Sequence, residues 1–229
     1  MSGHLNPGGQ QFRDDDGAAD PRVQAALAAY HAGQGSEQDA LTALAAARLL
    51  VPVVAVLAGG SAAEGDKNSE MALPTLIGRD GRPAVLAFTG LGALASWRPH
   101  ARPVPAEAGR VWRAAVADGC AVVIDVAGPV PLAVEGARLA ALAAGQPVPP
   151  AHEDADVRAQ VEAAIAAEPM IAGFSLAPSQ QVDLAVRQHL APGNWRPVVN
   201  RAAQGIAGRL AGRLRRGVEF SVTRDPVGS

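Results

Sequence analysis

Residues 71–90, MALPTLIGRDGRPAVLAFTG, decide the fold of this chain. Two apolar runs, MALPTLI and RPAVLAFT, flank the short sequence GRDG. Asp80-Gly81 between apolar runs predicts a tight β-hairpin, because glycine supplies the positive φ that such a turn requires. Proline cannot donate a hydrogen bond to a neighbouring strand. Pro74 therefore predicts that the first run lies at a sheet edge or carries a β-bulge.

The residues that precede this hairpin predict two helices and one strand. Residues 21–33, PRVQAALAAYHAG, follow Asp20 and begin with proline, which is tolerated at the first helical position. Residues 36–50, SEQDALTALAAARLL, predict a second helix, and the β-branched run VPVVAVLA at 51–58 predicts a strand. Residues 1–19 are rich in Gly, Asp and Gln, which predicts a disordered tail.

The residues that follow the hairpin alternate between helical and strand patterns. Residues 90–97 and 105–119 predict two helices, and Gly119 ends the second. CAVVIDVAG, at 120–128, is an almost wholly apolar strand, a kind that is normally covered on both faces. Residues 134–145 predict another helix.

A proline-rich stretch, GQPVPPAHED at 145–154, predicts a domain boundary. Beyond it the pattern reads α-β-β-α-β, and its long helix is predicted over 196–216. The predicted fold class is therefore α/β (α+β): a mixed β-sheet with helices in the N-terminal domain, and a smaller C-terminal domain. The predicted segments are a tail (1–19), an N-terminal domain (20–145), a linker (146–153) and a C-terminal domain (154–229).

Composition indicates a globular protein without a strong overall charge. The 229 residues are 48% hydrophobic and 18% charged, with a net charge of −2, so no global field points to nucleic acid or membrane. A single cysteine permits no intramolecular disulfide and suits a reducing compartment. The N-terminus lacks a secretory signal pattern, and no apolar run reaches the roughly 20 residues of a membrane span. We expect a soluble, cytoplasmic protein.

One glycine-bearing loop has the spacing of a phosphate-binding loop but not its chemistry. Gly60 and Gly65 are correctly separated, yet Asp66 stands where a lysine must reach the phosphates. Lys67, the only lysine of the chain, comes one residue late. We therefore interpret these glycines as turn residues and predict no nucleotide cofactor.

Two other features are candidate binding sites. The first is a polar loop between predicted strands, Asp66, Lys67, Asn68, Ser69 and Glu70. It could contact a ligand or a partner, and the alternative is a solvated loop that satisfies its own backbone. The second is Asp125, at the end of a predicted strand, where α/β sheets bind ligands. The alternative is that Asp125 caps the turn that follows it.

The residues that most often carry catalysis lack the partners that catalysis requires. Cys120 has no visible cationic surroundings to stabilise a thiolate and is interpreted as a small buried apolar residue. His152-Glu153 begins like a zinc-protease motif, but Asp156 replaces the second histidine. No serine occupies a G-x-S-x-G elbow. We predict no catalytic residue, no metal site and no cofactor, and we favour a protein that is not an enzyme.

The helix predicted at 196–216 has a basic face. Its arginines lie largely away from the apolar stripe, and the candidate interaction residues are Arg201, Arg209, Arg213 and Arg216. Such a face could meet an acidic protein, a membrane surface or RNA, and the alternative is a solvated face. No aromatic residues interleave for base stacking, so nucleic acid is not the expected partner.

Several stretches in the middle of the chain resemble a known family. They are LLVPVVAV (49–56), MALPTLIGRDGRPAVLAFTG (71–90), Trp97, ARPVP (101–105) and CAVVIDVAGP (120–129). Together they resemble the SseB N-terminal domain family, in the form common in high-GC Gram-positive bacteria. Residues 145–229, with AGFSL and VDLAV, are similar to its companion C-terminal domain. The resemblance implies an α/β N-terminal domain and a smaller C-terminal one, and it brings no catalytic motif to transfer.

Three hypotheses for function follow. The first is a non-catalytic cytoplasmic protein-interaction or regulatory module with an unidentified protein partner. The second is a small-ligand sensor or uncharacterised enzyme that uses the Asp66–Lys67 loop and Asp125. The third is RNA association through the basic helix. A pocket at which Lys67 and Asp125 converge would favour the second hypothesis.

Overall fold

The computed structural model describes residues 12–55, 71–72, 75–78, 81–178, 181–186, 195–214 and 218–224. These residues form helices and mixed β-sheets, which confirms the predicted α+β class. The chain divides into two compact units. The first unit is Met1–Ala28 with Asp39–Val148, and the second is Ala29–Gln38 with Pro149–Ser229.

The first unit contains two small sheets and the helices that accompany them. Its elements are α1 (Pro21–His31), α2 (Glu37–Ala45), β1 (Arg48–Ala55), β2 (Met71–Ala72), β3 (Thr75–Ile77), β4 (Pro83–Ala87), α3 (Leu91–Trp97), β5 (Arg102–Glu107), α4 (Ala108–Ala117), β6 (Ala121–Ile124), β7 (Leu132–Val134) and α5 (Gly136–Ala143). The first two helices, α1 and α2, each have residues in both units. The sheets have the orders β2-β1-β5 and β3-β4-β6-β7, and an antiparallel bridge joins Leu50 to Phe88.

The predicted hairpin is confirmed. β3 and β4 pair antiparallel with Ile77 opposite Pro83, and Gly81 has a φ of +79° in the turn between them. The apolar run that was predicted as one strand instead supplies two short strands, β2 and β3, in different sheets. Each lies at the edge of its sheet, although Pro74 itself is outside the described residues.

The pairing of β4 with β6 positions the candidate site. These two strands are parallel, with Ala87 opposite Ile124, whereas β3 and β7 pair antiparallel on either side of them. The carboxyl ends of parallel neighbours emerge at the same edge of a sheet. Residues that follow β4 are therefore close to residues that follow β6.

One boundary and two strands differ from the sequence prediction because strand pairing overrides local pattern. The helix predicted to reach residue 50 ends at Ala45. Leu49 and Leu50 are buried in β1, where they pair with β5. Neither β5 nor β7 was predicted. β5, RPVPAE, carries two prolines and its residues are only half-buried or exposed, so it lacks the apolar signal of a strand.

The described part of the predicted tail, residues 12–19, makes specific contacts. Asp15 forms an ion pair with Arg48, with 2.8 Å between Oδ2 and Nε. The carbonyl of Gly17 accepts a hydrogen bond of 2.9 Å from the Leu91 amide. Gly17 has a φ of +74°, a conformation that glycine adopts without the Cβ penalty of other residues. These contacts differ from the disorder that composition predicted.

The second unit has the predicted order α-β-β-α-β. Its principal elements are α6 (Ala155–Ile165), β8 (Ile171–Leu176), β9 (Gln181–Val186), α7 (Trp195–Leu210) and β10 (Glu219–Arg224). β9 is the central strand, antiparallel to β8 and parallel to β10. Leu184 on β9 and Ile206 on α7 are fully buried in one apolar core.

The helix predicted at 196–216 is shorter than expected. α7 ends at Leu210, and residues 211–213 form a turn. The Tyr30 hydroxyl shares its one proton between the carbonyls of Gly212, at 3.0 Å, and Arg213, at 3.2 Å. At the helix end itself, the carbonyl of Leu210 accepts from the amides of Arg213 and Leu214, both at 2.8 Å.

Candidate functional site

Asp125 lies immediately after β6, at the edge where β4 and β6 both end. Its backbone amide donates to the carbonyl of Ala87 at 3.0 Å, and its carbonyl accepts from the Gly128 amide at 2.7 Å. Its φ of +49° is unusual for a residue other than glycine, although aspartate tolerates this region better than most. Asp125 thus occupies the predicted sheet edge and also forms the turn that follows.

The Asp125 carboxylate is held by one neighbouring residue. Its Oδ1 accepts from the Thr89 amide at 2.8 Å, and its Oδ2 accepts from the Thr89 hydroxyl at 2.7 Å. The residue is only 7% exposed. Burial raises the pKa of Asp125, and the two hydrogen bonds from Thr89 act in the opposite direction.

A pocket of about 490 Å³ opens beside this pair. Its walls come from five parts of the first unit: residues 16–19, three residues of α1 (Gln24, Leu27 and Ala28), residues 89–93 together with Ser96, Asp125, and residues 129–130. Small and apolar side chains make up most of this lining. Pockets of this size, largely apolar with a few polar groups, are typical binding sites.

Residues 15–19, which we call the strap, supply one wall of the pocket through residues 16–19. Arg48 holds the strap in place by pairing with Asp15 and by donating to the carbonyl of Ala18. The same guanidinium donates to the carbonyl of Thr89 at 3.0 Å. Arg48 therefore links the strap to the residue that binds Asp125.

Two polar side chains of the pocket are hydrogen-bonded within the chain. Asp125 has a donor on each oxygen, and the Ser96 hydroxyl donates to the carbonyl of Gly92 at 2.9 Å. A nucleophile requires a base within hydrogen-bond reach, and Ser96 bonds to a backbone carbonyl instead. Among the described lining residues there is no lysine, arginine or histidine.

The other candidate loop cannot be placed beside this pocket. Asp66, Lys67, Asn68, Ser69 and Glu70 all lie outside the described residues. Asp125 is thus the one member of that predicted set that the structure describes.

The basic residues of α7 have different surroundings. Arg201 donates to both oxygens of Glu168, at 2.6 and 2.9 Å, and Arg209 is exposed with a 3.4 Å contact to Gln160. Arg216 lies outside the described residues.

Arg213 lies beyond the end of α7 and is mostly buried. Its guanidinium donates to Asp154 at 2.7 Å and to Glu37 at 3.0 Å. Burial lowers the pKa of Arg213, but the two carboxylates outweigh it, and the pKa is raised overall. Arg213 is therefore part of an internal ion-pair network in the second unit, whereas Arg209 faces solvent.

Outside the pocket, the described residues include the single cysteine of the chain, Cys120. Cys120 is half-buried rather than buried. Its burial, and to a lesser extent the charge of Asp118, raise the pKa of its thiol, which disfavours the thiolate.

Within the described ranges, no group of three or more His, Cys, Asp or Glu side chains could hold a metal ion. No helix in the part of the chain that the structure describes is long and apolar enough to cross a membrane.

Sequence reasoning identified Asp125 but missed Thr89, Arg48 and the strap. Thr89 could have been found, because it is the last residue of a predicted strand, and that strand pairs parallel with the one before Asp125. Arg48 was missed because it lies within residues 36–50, which were predicted to form a helix. The strap was hidden by its Gly- and Asp-rich composition, which is typical of disorder.

Comparison with known protein families identifies a domain in this chain. Residues 23–141 match the SseB protein N-terminal domain, and this range includes Arg48, Thr89 and Asp125. Neither curated proteins nor solved structures show a match to the chain. The family match covers more than half of the sequence and includes most of the first unit. The chain therefore belongs to the SseB family.

Proposed function

We propose that this SseB-family protein is a non-catalytic regulatory module of the bacterial cytoplasm that binds another protein. The observation that carries the proposal is the state of Asp125 beside an apolar pocket. Both carboxylate oxygens accept hydrogen bonds from Thr89. These bonds fix the carboxylate against Thr89, and each oxygen retains acceptor capacity for a binding partner.

The pocket suits an anchoring side chain of a partner. Protein interfaces concentrate their binding energy in a few side chains that fill well-packed pockets. Leu27 and Leu91 supply apolar surface to the walls of this pocket, and Leu91 is 43% exposed. The single cysteine of the chain suits the reducing cytoplasm that the proposal requires.

A small-ligand sensor is the second candidate, and the size of the pocket favours it. A volume of about 490 Å³ falls within the roughly 300–1,000 Å³ that small-molecule sites span. On this alternative the ligand contacts Asp125 in the wall of the pocket. The Asp66–Lys67 loop is its second proposed contact. On the first proposal the pocket holds a side chain of a partner protein, and on the second it holds a free small molecule.

The test is affinity purification of the tagged full-length protein from its native host, with and without nuclease, followed by mass spectrometry. Two variants each place a tryptophan at an exposed position of α1. Ala28→Trp fills the pocket, because Ala28 is exposed and lines it. Ala25→Trp is the matched control, because Ala25 is exposed and is not part of the lining.

We expect a stoichiometric, nuclease-resistant partner with the wild type and with Ala25→Trp, and its loss with Ala28→Trp. Circular dichroism of both variants establishes that they are folded. A partner that Ala28→Trp retains would place the interface elsewhere. Recovery of the tagged protein alone in every case would contradict the proposal and favour the sensor.

A further inference from the structure

The charged side chains that line the pocket are all acidic. Its carboxylates are Asp16 and Asp125, and its described lining contains no basic side chain. Arg48 does not line the pocket, and its guanidinium is engaged by Asp15 and by the carbonyls of Thr89 and Ala18. An anion that entered the pocket would meet repulsion without a compensating cation.

Asp16 has capacity for a further hydrogen bond. Its Oδ1 accepts from the Ala18 amide at 2.8 Å, and its Oδ2 has no donor among the described residues. The residue is exposed, so a ligand can reach it without displacing a packed side chain. A carboxylate accepts about four hydrogen bonds through its two oxygens. Asp16 can therefore bind a cationic donor.

The remainder of the lining suits hydrocarbon. Leu27, Leu91, Pro129 and Val130 present apolar atoms, and Gly92 has no side chain to occupy the space. The pocket has room for a chain of several carbon atoms, because each buried methylene group of a ligand needs only a small part of about 490 Å³. Burial of each such group contributes about 0.8 kcal/mol to transfer from water.

We propose that the pocket binds a protonated amine on an apolar chain, with the ammonium group facing the carboxylates and the chain against the apolar wall. This inference deepens the proposed function and rests on its pocket. The amine is either the side chain of a lysine on the partner protein or a free alkylamine. The cavity, its apolar walls and the sign of its charge carry the inference together.

The direct test compares three probes that share one carbon chain: n-butylammonium, butan-1-ol and butanoate. Each is titrated into the full-length protein by isothermal titration calorimetry, with two-dimensional NMR as a second readout. We expect n-butylammonium to bind at least about tenfold more tightly than butanoate, a ratio that corresponds to about 1.4 kcal/mol. Equal affinities, or tighter binding of butanoate, would overturn the inference.

Two matched variants separate the local charge from the net charge. Asp16→Asn removes a carboxylate that lines the pocket, and Asp14→Asn removes an exposed carboxylate that is not part of the lining. We expect Asp16→Asn to reduce the preference for n-butylammonium severalfold and Asp14→Asn to preserve it. Equal effects of the two variants would show that only net charge matters and would overturn the inference.

A competition experiment distinguishes the two sources of the amine. Nα-acetyl-lysine N-methylamide reproduces a lysine within a chain, and n-butylammonium reproduces a free amine. Displacement of the captured partner by the lysine derivative supports a lysine anchor. Tight amine binding without any captured partner supports a free amine and contradicts the proposed function alone. Loss of the partner in Ala28→Trp without amine binding contradicts this inference alone.

Discussion

Two buried aspartates, one in each unit, differ in how their charge is compensated. Asp125 in the first unit is held by the amide and hydroxyl of Thr89, which are neutral donors. Asp154 in the second unit is fully buried, accepts from the Asp156 amide at the start of α6, and pairs with the Arg213 guanidinium. Only the first of the two lines the pocket that we describe.

This difference separates a structural ion pair from a candidate site. Asp154 and Arg213 compensate each other, so each depends on the other to remain buried. Asp125 depends on Thr89 only for hydrogen bonds, and one side of its surroundings is a cavity. Burial alone therefore does not indicate function. The partner of a buried charge and the space beside it are the informative features.

The largest expected effect is that of removing the cation of the ion-pair network. Arg213→Ala leaves Asp154 buried without a cation, and we expect the free energy of unfolding to fall by about 3–5 kcal/mol. Urea denaturation followed by circular dichroism measures it. Arg209→Ala is the control, because Arg209 is exposed and its change should stay within about 0.5 kcal/mol. Equal losses in the two variants would contradict the ion-pair interpretation.

Removing the Asp125 carboxylate, whose hydrogen-bond donors are neutral, should cost less. Asp125→Ala leaves the amide and hydroxyl of Thr89 without their partner, and we expect a loss of about 1–3 kcal/mol by the same measurement. Asp125→Asn should lose less, because asparagine retains an acceptor and tolerates a positive φ. The comparison between the two aspartates fails if Asp125→Ala destabilises the protein as much as Arg213→Ala does.

A smaller effect is expected where the strap meets α3. Gly17→Ala places a Cβ at a φ of +74°, 2.5 Å from the Leu91 side chain. We expect the strap to lose about 1–2 kcal/mol, the usual cost of this conformation for a residue with a Cβ. Faster hydrogen exchange of the Leu91 amide reports the loss. Gly92→Ala, where a Cβ meets nothing within 4 Å, should leave that exchange rate unchanged.

The smallest effect concerns pH and tests the burial of Asp125. Because its pKa is raised above the ordinary value of 3.8, the folded state binds the proton more tightly than the unfolded state. The stabilisation that protonation gives is present below pH 3.8 and is lost as pH rises through the raised pKa. The free energy of unfolding of the wild type, relative to that of Asp125→Asn, should therefore decrease with rising pH. A difference that increases with pH would show that Thr89 outweighs burial.

Local signals in the sequence predicted much of the architecture. The predicted hairpin is confirmed, and its signal was the Asp80-Gly81 pair between two apolar runs. The predicted order α-β-β-α-β is also confirmed, and its signal was the hydrophobic periodicity of each element. The end of α2 and the strands β5 and β7 were missed, because distant strand pairing decides them. Such pairing leaves little trace in a short window of sequence.

By itself, the sequence determined the fold class, the hairpin and the membership of the SseB family, since these depend on patterns that neighbouring residues create together. Only the tertiary structure decided that Thr89 binds Asp125, that Arg48 secures the strap, and that these elements surround a pocket. It also decided that Arg213 is internal while Arg209 is exposed. The physical reason is that hydrogen bonds and ion pairs between distant residues depend on how the elements pack.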